Sequence, residues 1–428
     1  MKVAIINKSD FKGGAAVVSF RLMNALRDLG VDARMFVTDK ITDSPFVEVA
    51  ASPFSIRTAF LAERLKIFMA NGLNRENLFK ADIASDGIAV HKIPFVEQAD
   101  VICLNWVNQG FLSFRSLMKL FKLGKPIIWT MHDMWNITGI CHHAGSCDRW
   151  KTNCGLCPLL GPNAKPDDIS FSVWNNKKTV YSLAQRLSRS TGVRLHFVAV
   201  SNWLADLARQ SPLFADMPLS VIGNAFPLPE SLPARTPATD GTFTVVMGAA
   251  RLDDPVKGLP ILVEASRVIR DLYPRLADRM RLITFGDIRN PDILSGIALP
   301  HSHLGVISGE ENIRNIYLGA DAVVSTSLYE TLPGTLVEGL AYGAVPVAFG
   351  RGGQTDIVDH LSTGYIAEWN DDPHVAARNI AEGLAWASLR NADEIRPRML
   401  QSARSRFDAP VIARRYLDLF STLLPDAR

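Results

Sequence analysis

A chain of 428 residues, 47% hydrophobic and 21% charged, is too long for one ordinary core and reads as two globular domains. No apolar run approaches the roughly 20 residues that a membrane-spanning helix needs. A formal net charge of +3 is too slight to argue for nucleic acid, and leaves room only for local basic patches that meet phosphate or a membrane surface.

The N-terminal "MKVAIINKSDFKGG" has no long apolar core and no small-residue cleavage site. It is expected to be a first strand and not a signal peptide, with a cytoplasmic location following from that. "KGGAAVVSFRLMNALRDLG" then places Gly13 and Gly14 where a strand turns into a helix. Glycine there permits close backbone approach, and a helix N-terminus offers free N–H groups to a phosphate. A plain tight turn is the alternative, and the dinucleotide fingerprint G-x-G-x-x-G is absent, which disfavours an NAD enzyme. Residues 54 to 73, "FSIRTAFLAERLKIFMANGL", mix Phe, Leu and Ile with Arg57, Arg64 and Lys66 at helical spacing. Such a helix either lies on an anionic membrane surface or packs its apolar side on its own domain.

"DVICLNW" and "KPIIWTMHD" continue the βα rhythm of a parallel sheet covered on both faces. Directly afterwards, "CHHAGSCDRWKTNCGLCP" carries Cys141, Cys147, Cys154 and Cys157, while Cys103 falls in a strand. Four clustered thiols in a cytoplasmic protein suit a structural zinc with four thiolates. Disulfides, free thiols, or His142 or His143 as a ligand remain open. "FPLPESLPARTPATDG", residues 226 to 241, has no apolar period and is expected to link domain 1–225 to domain 242–408. The terminal stretch 409–428 has helical spacing after Pro410 and is expected to pack back on the first domain.

The second half repeats the rhythm in "FTVVMGAA", "RMRLITFGD", "DAVVSTS" and "VPVAFG", so each half is expected to form its own α/β, doubly wound domain. In "GAARLDDPVKGLP", Arg251 and Lys257 fall on the loop after the first of these strands. A guanidinium fork with a nearby ammonium suits a diphosphate; a solvated basic loop is the alternative. "YETLPGTLVEGLAYG" follows "DAVVSTS" and holds Glu330 on a loop and Glu338 early in a helix. The backbone N–H groups of Thr331, Leu332, Pro-flanked Gly334, Thr335 and Leu336 lie near that helix start, with Pro333 setting its entry, where they can hold phosphate or sugar oxygens. A carboxylate matches ribose or sugar hydroxyls, although Glu338 alone is also an ordinary helix-dipole partner.

Glu330 and Glu338 in E-x7-E spacing, Arg251 with Lys257, the Gly13–Gly14 loop and "TMHD" around His132 together resemble the retaining glycosyltransferases of family 4. "VSNWLAD" with Ser201 and "VIGNAF" with Gly223 and Asn224 also look like family segments, though the latter departs from a Pro-Asn-Gly form. The resemblance implies a GT-B fold, two Rossmann-like domains facing a central cleft, and sugar transfer with retention from a UDP- or GDP-sugar without a catalytic metal. It implies that Arg251 and Lys257 neutralise the diphosphate, Glu338 holds the ribose, Glu330 contacts the donor sugar, Gly14 approaches the phosphates and His132 sits beside the transferred sugar. The implied acceptor is a glycan or lipid-linked glycan of bacterial surface polysaccharide synthesis. Cysteine-rich inserts are similar to those of some bacterial members. An epimerase, a phosphorylase or a non-catalytic nucleotide-sugar-binding protein would share the architecture.

Overall fold

The computed structural model describes residues 1–188, 193–235 and 240–424. The chain forms two compact units, Met1–Ala225 with Ile412–Arg428, and Phe226–Val411. Each is built on one sheet in which every strand pair is parallel.

The first unit contains β1 (Lys2–Ile6), β2 (Asp32–Val37), β3 (Val47–Val49), β4 (Val101–Leu104), β5 (Pro126–Met131), β6 (Arg194–Ala199) and β7 (Leu219–Val221), in the order β3-β2-β1-β4-β5-β6-β7. All six residues of β5 are buried, as a strand covered on both faces requires. Beneath it Trp129 stacks on Phe197 and packs against Trp135 and Tyr181, a dense aromatic centre for this unit. Helix α1 (Gly14–Asp28) starts at Gly13, whose φ of 91° falls where glycine is favoured. Helix α2 (Pro53–Ala70) is capped by Ser52, which accepts from the Ser55 N–H, with Pro53 in the first turn. The terminal helix Ala409–Leu423 bonds to this unit through Tyr416, 2.9 Å from Thr130 Oγ1.

The second unit contains β8 (Phe243–Arg251), β9 (Met280–Asp287), β10 (His301–His303), β11 (Ala322–Ser325), β12 (Val345–Phe349) and β13 (Tyr365–Ala367), in the order β10-β9-β8-β11-β12-β13. Strand order reverses between β8 and β11, and the carboxyl end of such a switch point is where open α/β sheets take ligands. Of the expected linker 226–241, residues 236–239 lie outside the described residues. Its first residue is not loose chain: the Phe226 N–H donates to Phe407 O, and the Ala409 N–H donates to Phe226 O. No described helix is long and apolar enough to cross a membrane.

Candidate active site

In the second unit the loops after β8 and β11 are stitched together by backbone bonds. The Leu328 N–H donates to Val256 O at 2.8 Å, and Thr326 Oγ1 donates to Lys257 O at 2.9 Å. Gly258 has φ 66°, and a Cβ there would lie 2.1 Å from Thr326 O, so glycine lets the two loops touch. This contact brings Lys257 to Glu330: Lys257 Nζ and Glu330 Oε1 form an ion pair, and Ser327 Oγ donates to the same oxygen at 3.2 Å. The Glu330 loop rests on a second glycine turn, where Gly352 at φ 65° approaches the Glu330 backbone and the Gly353 N–H donates to Glu330 O at 2.7 Å.

Arg251, expected on the loop, is the last residue of β8, because the β8–β9 ladder extends to an Arg251–Asp287 pair beyond an irregularity. Its Nε donates to Asp253 Oδ1 at 3.0 Å. Asp253 Oδ2 in turn accepts from the N–H groups of Arg289 and Asn290, tying the cation to the loop after β9. The helix Gly334–Tyr342 begins after Pro333, so the N–H groups of Gly334 and Thr335 belong to its open first turn, whereas the Leu336 N–H donates to Pro333 O at 3.2 Å, and Thr331 and Leu332 are buried just before it. Glu338 lies one turn further in, half-buried, and with burial itself it raises the Tyr317 phenol pKa. Lys257, Glu330, Arg251 and the open helix start therefore gather cations, a carboxylate and backbone donors at the switch point. That is a set suited to a diphosphate bearing a hydroxylated group.

In the first unit His132 follows β5. Its Nε2 is 3.0 Å from Asn105 Oδ1, and with Ser19, Gly223, Asn224 and Tyr416 it lines a small crevice. Burial pushes the His132 pKa down to about 4 against the pull of Asp133, so the ring is neutral near pH 7. A Cβ on Gly13 or Gly14 would meet nothing within 4 Å, so the space beyond the α1 N-terminus is open in this unit.

Beside His132 is a network that the sequence did not announce. His142 bridges two carboxylates, Nε2 to Asp82 Oδ2 at 2.6 Å and Nδ1 to Asp133 Oδ2 at 2.7 Å. Burial opposes charge on this ring, but Asp133 and Asp82 outweigh it and push the pKa up to about 10. Asp133 also accepts from Trp106 Nε1 at 2.9 Å, and Asp82 is ion-paired with Arg64. "TMHD" and "CHH" contain the signal, but beside four cysteines a histidine reads from sequence as a metal ligand.

The four loop cysteines line one cavity of about 60 Å³ with His143 and Trp150, and all five cysteines are free thiols. Of the alternatives left open by the sequence, a disulfide is not formed among the described residues. For zinc the fit is incomplete: among the described residues no three His, Cys, Asp or Glu side chains form a group that holds a metal ion. Instead Cys154 Sγ accepts from the Gly139 N–H at 3.1 Å, and fully buried Lys177 donates to Trp135 O, Thr138 O and Gly139 O, fixing the segment that leads into the loop.

WcaC of Escherichia coli (strain K12), named for colanic acid biosynthesis glycosyl transfer, is 25% identical over 261 residues, 59% of either chain, so the match spans about three fifths of that relative's length. The Anabaena Alr3699/HepE structure in complex with UDP-glucose aligns over 99% of this chain and 100% of its own, at TM-score 0.57 and 17% identity. A glycosyltransferase from Rickettsia africae ESF-5 aligns over 100% and 99%, at TM-score 0.61 and 15% identity. These likenesses establish the fold as GT-B, two Rossmann-like units. Residues 238–398, which hold Arg251, Lys257, Glu330 and Glu338, match the family described as Glycosyl transferases group 1.

Proposed function

We propose that this chain is a retaining, family 4-like glycosyltransferase that moves a sugar from a nucleoside diphosphate sugar to a glycan or lipid-linked glycan acceptor in bacterial surface polysaccharide synthesis. The observation that carries it is the Lys257–Glu330 pair at the β8/β11 switch point, inside the segment that matches the group 1 glycosyl transferases. The WcaC likeness supports the polysaccharide context, and the UDP-glucose bound by the Anabaena protein supports a UDP-sugar over a GDP-sugar.

In this reading Lys257 and Arg251 take the diphosphate, whose negative charge grows as the sugar becomes oxocarbenium-like, and the first-turn N–H groups after Pro333 add to that stabilisation. Lys257 then exchanges Glu330 for phosphate, which frees the Glu330 carboxylate for sugar hydroxyls. Glu338 holds the ribose. Gly13 and Gly14 leave room for phosphate, and neutral His132 offers a hydrogen bond to the transferred sugar without competing for the cations. Retention is assigned to same-face attack, with a donor phosphate oxygen accepting the acceptor's proton. No catalytic metal takes part in this scheme. A cytoplasmic site of action is supported by the free thiols.

A thermal-shift panel tests the donor assignment. UDP and a UDP-sugar are expected to raise the melting temperature by mass action, and GDP to do so less. No response to any nucleoside diphosphate sugar would sink the proposal, and donor conversion without an acceptor would favour an epimerase. Zinc on Cys141, Cys147, Cys154 and Cys157 is a separate proposal, supported by their shared cavity, and needs the thiols to draw together on binding. Elemental analysis after chelator-free purification decides it, one zinc per chain for and none against.

A further inference from the structure

Helix α2 turns two charged residues inward beside its core contacts. Its only fully buried residues are Glu63, Arg64 and Ile67. Glu63 Oε1 accepts from the N–H groups of Ile83 and Ala84 at 3.1 and 2.7 Å. Arg64 donates to Leu78 O and Ala81 O and pairs with Asp82 and Glu63. With the helix anchored by these groups and by Ile67, which joins the core, several of its large apolar side chains face water. Phe54 is 77% exposed, Leu61 52%, Leu65 55% and Met69 54%, and Leu73 and Phe79 extend the face at 66% and 61%.

Steps of seven, four and four residues put Phe54, Leu61, Leu65 and Met69 on one stripe of the helix. Monomeric proteins seldom leave such a contiguous stripe uncovered. Exposed Arg57, Lys66, Arg75 and Lys80 surround it, against exposed Glu76, with Lys66 also reaching Asp86 at 2.6 Å. Along the same helix runs a groove of about 590 Å³ of mixed character, in which Ala59, Ala62, Ile88 and Ile93 are joined by Ser55, Thr58, Asp86 and Lys92.

We propose that this face of α2 and the following segment to Lys80 docks on an anionic lipid bilayer, with the stripe in the headgroup and acyl boundary and the cations on phosphate. The charge distinguishes this occupant from a second copy of the chain. A twofold contact would set the basic rim against its own copy, whereas an anionic leaflet complements it. Apolar insertion and cation attraction together form the two-part signal that interfacial helices use. The proposal does not rest on the transfer reading, since vesicle binding needs no donor and donor binding needs no vesicle. If both hold, the enzyme works where a lipid-linked acceptor resides.

The test is co-sedimentation of the full chain with vesicles of phosphatidylcholine alone or mixed with phosphatidylglycerol. Binding is expected only to the anionic vesicles, with release at high salt. The variant Leu61→Glu with Leu65→Glu should bind about tenfold more weakly or worse, and so should Arg75→Glu with Lys80→Glu, which leaves the stripe intact and alters only exposed positions. Val306→Glu, at an apolar position 70% exposed in the other unit, should bind as wild type. Absence of binding to anionic vesicles, or equal binding by both charge-inserting variants, would overturn the proposal. A concentration-dependent dimer that Leu65→Glu disperses, without vesicle binding, would assign the face to a second copy and overturn it too.

Discussion

Lys257 and Glu330, 73 positions apart, are ion-paired where the loops after β8 and β11 meet, with their side chains 25% and 21% exposed. The pair is partly buried but still solvent-accessible, and contributes on the order of 1 kcal/mol to stability. Lys257→Met should therefore change urea stability by less than ~1 kcal/mol while weakening UDP by roughly ten- to a hundredfold, the worth of a hydrogen bond to a charged group. Calorimetric titration with UDP checks this, and unchanged affinity would remove Lys257 from the diphosphate.

The glycines separate a structural from a ligand-facing role. Gly258 combines φ 66° with a would-be Cβ 2.1 Å from Thr326 O, so Gly258→Ala should cost ~2 kcal/mol or more from backbone conformation and overlap. It should also weaken UDP by displacing Lys257. Gly14 has open space around its would-be Cβ, so Gly14→Ala should leave the melting temperature near that of wild type. If phosphate approaches this backbone, the same change weakens the UDP-sugar. A loss of stability in Gly14→Ala with unchanged donor affinity would contradict the role given to it.

What was legible in the sequence follows from how local each signal is. "KPIIWTM" and "DAVVSTS" announced buried parallel strands because such strands are apolar throughout, and glycine before "AAVVSF" announced the start of α1. The pairing of Lys257 with Glu330 was not legible from spacing; only resemblance put both residues in one site, and it said nothing of their contact. Helix α2 shows the limit most clearly. Apolar spacing points to a buried stripe by default, but here Glu63 and Arg64 find partners at 78–84 and take the inner face. The Asp82–His142 contact spans 60 positions and leaves no periodic trace.

His142 joins the cysteine loop to the segment carrying His132. His142→Ala would leave the Asp82 and Asp133 carboxylates buried without the cation between them, and losing one partner of a buried ionic group costs ~3–5 kcal/mol. A correspondingly lower melting temperature is expected, with faster proteolysis within 141–157. A variant as stable as wild type would show that Arg64 and Trp106 satisfy the two carboxylates by themselves.

His132 provides a pH test with a definite sign. Its pKa is about 4 in the folded chain, against ~6.5 when unfolded. Between these values the unfolded chain binds more protons, so stability falls as pH drops from ~6.5 toward ~4 and is level above ~6.5. The difference of about 2.5 pH units corresponds to up to ~3 kcal/mol. His132→Asn removes this ionisation, so the stability of wild type relative to the variant should decline across that window and stay constant from pH 7 to 8. Urea unfolding of both proteins at each pH measures it. The same neutrality means that transfer should show no inflection near pH 6.5 arising from this ring. A flat stability difference between pH 4 and 7 would mean that His132 ionises normally in the folded chain, and the role of a neutral hydrogen-bonding group beside the donor sugar would fall with it.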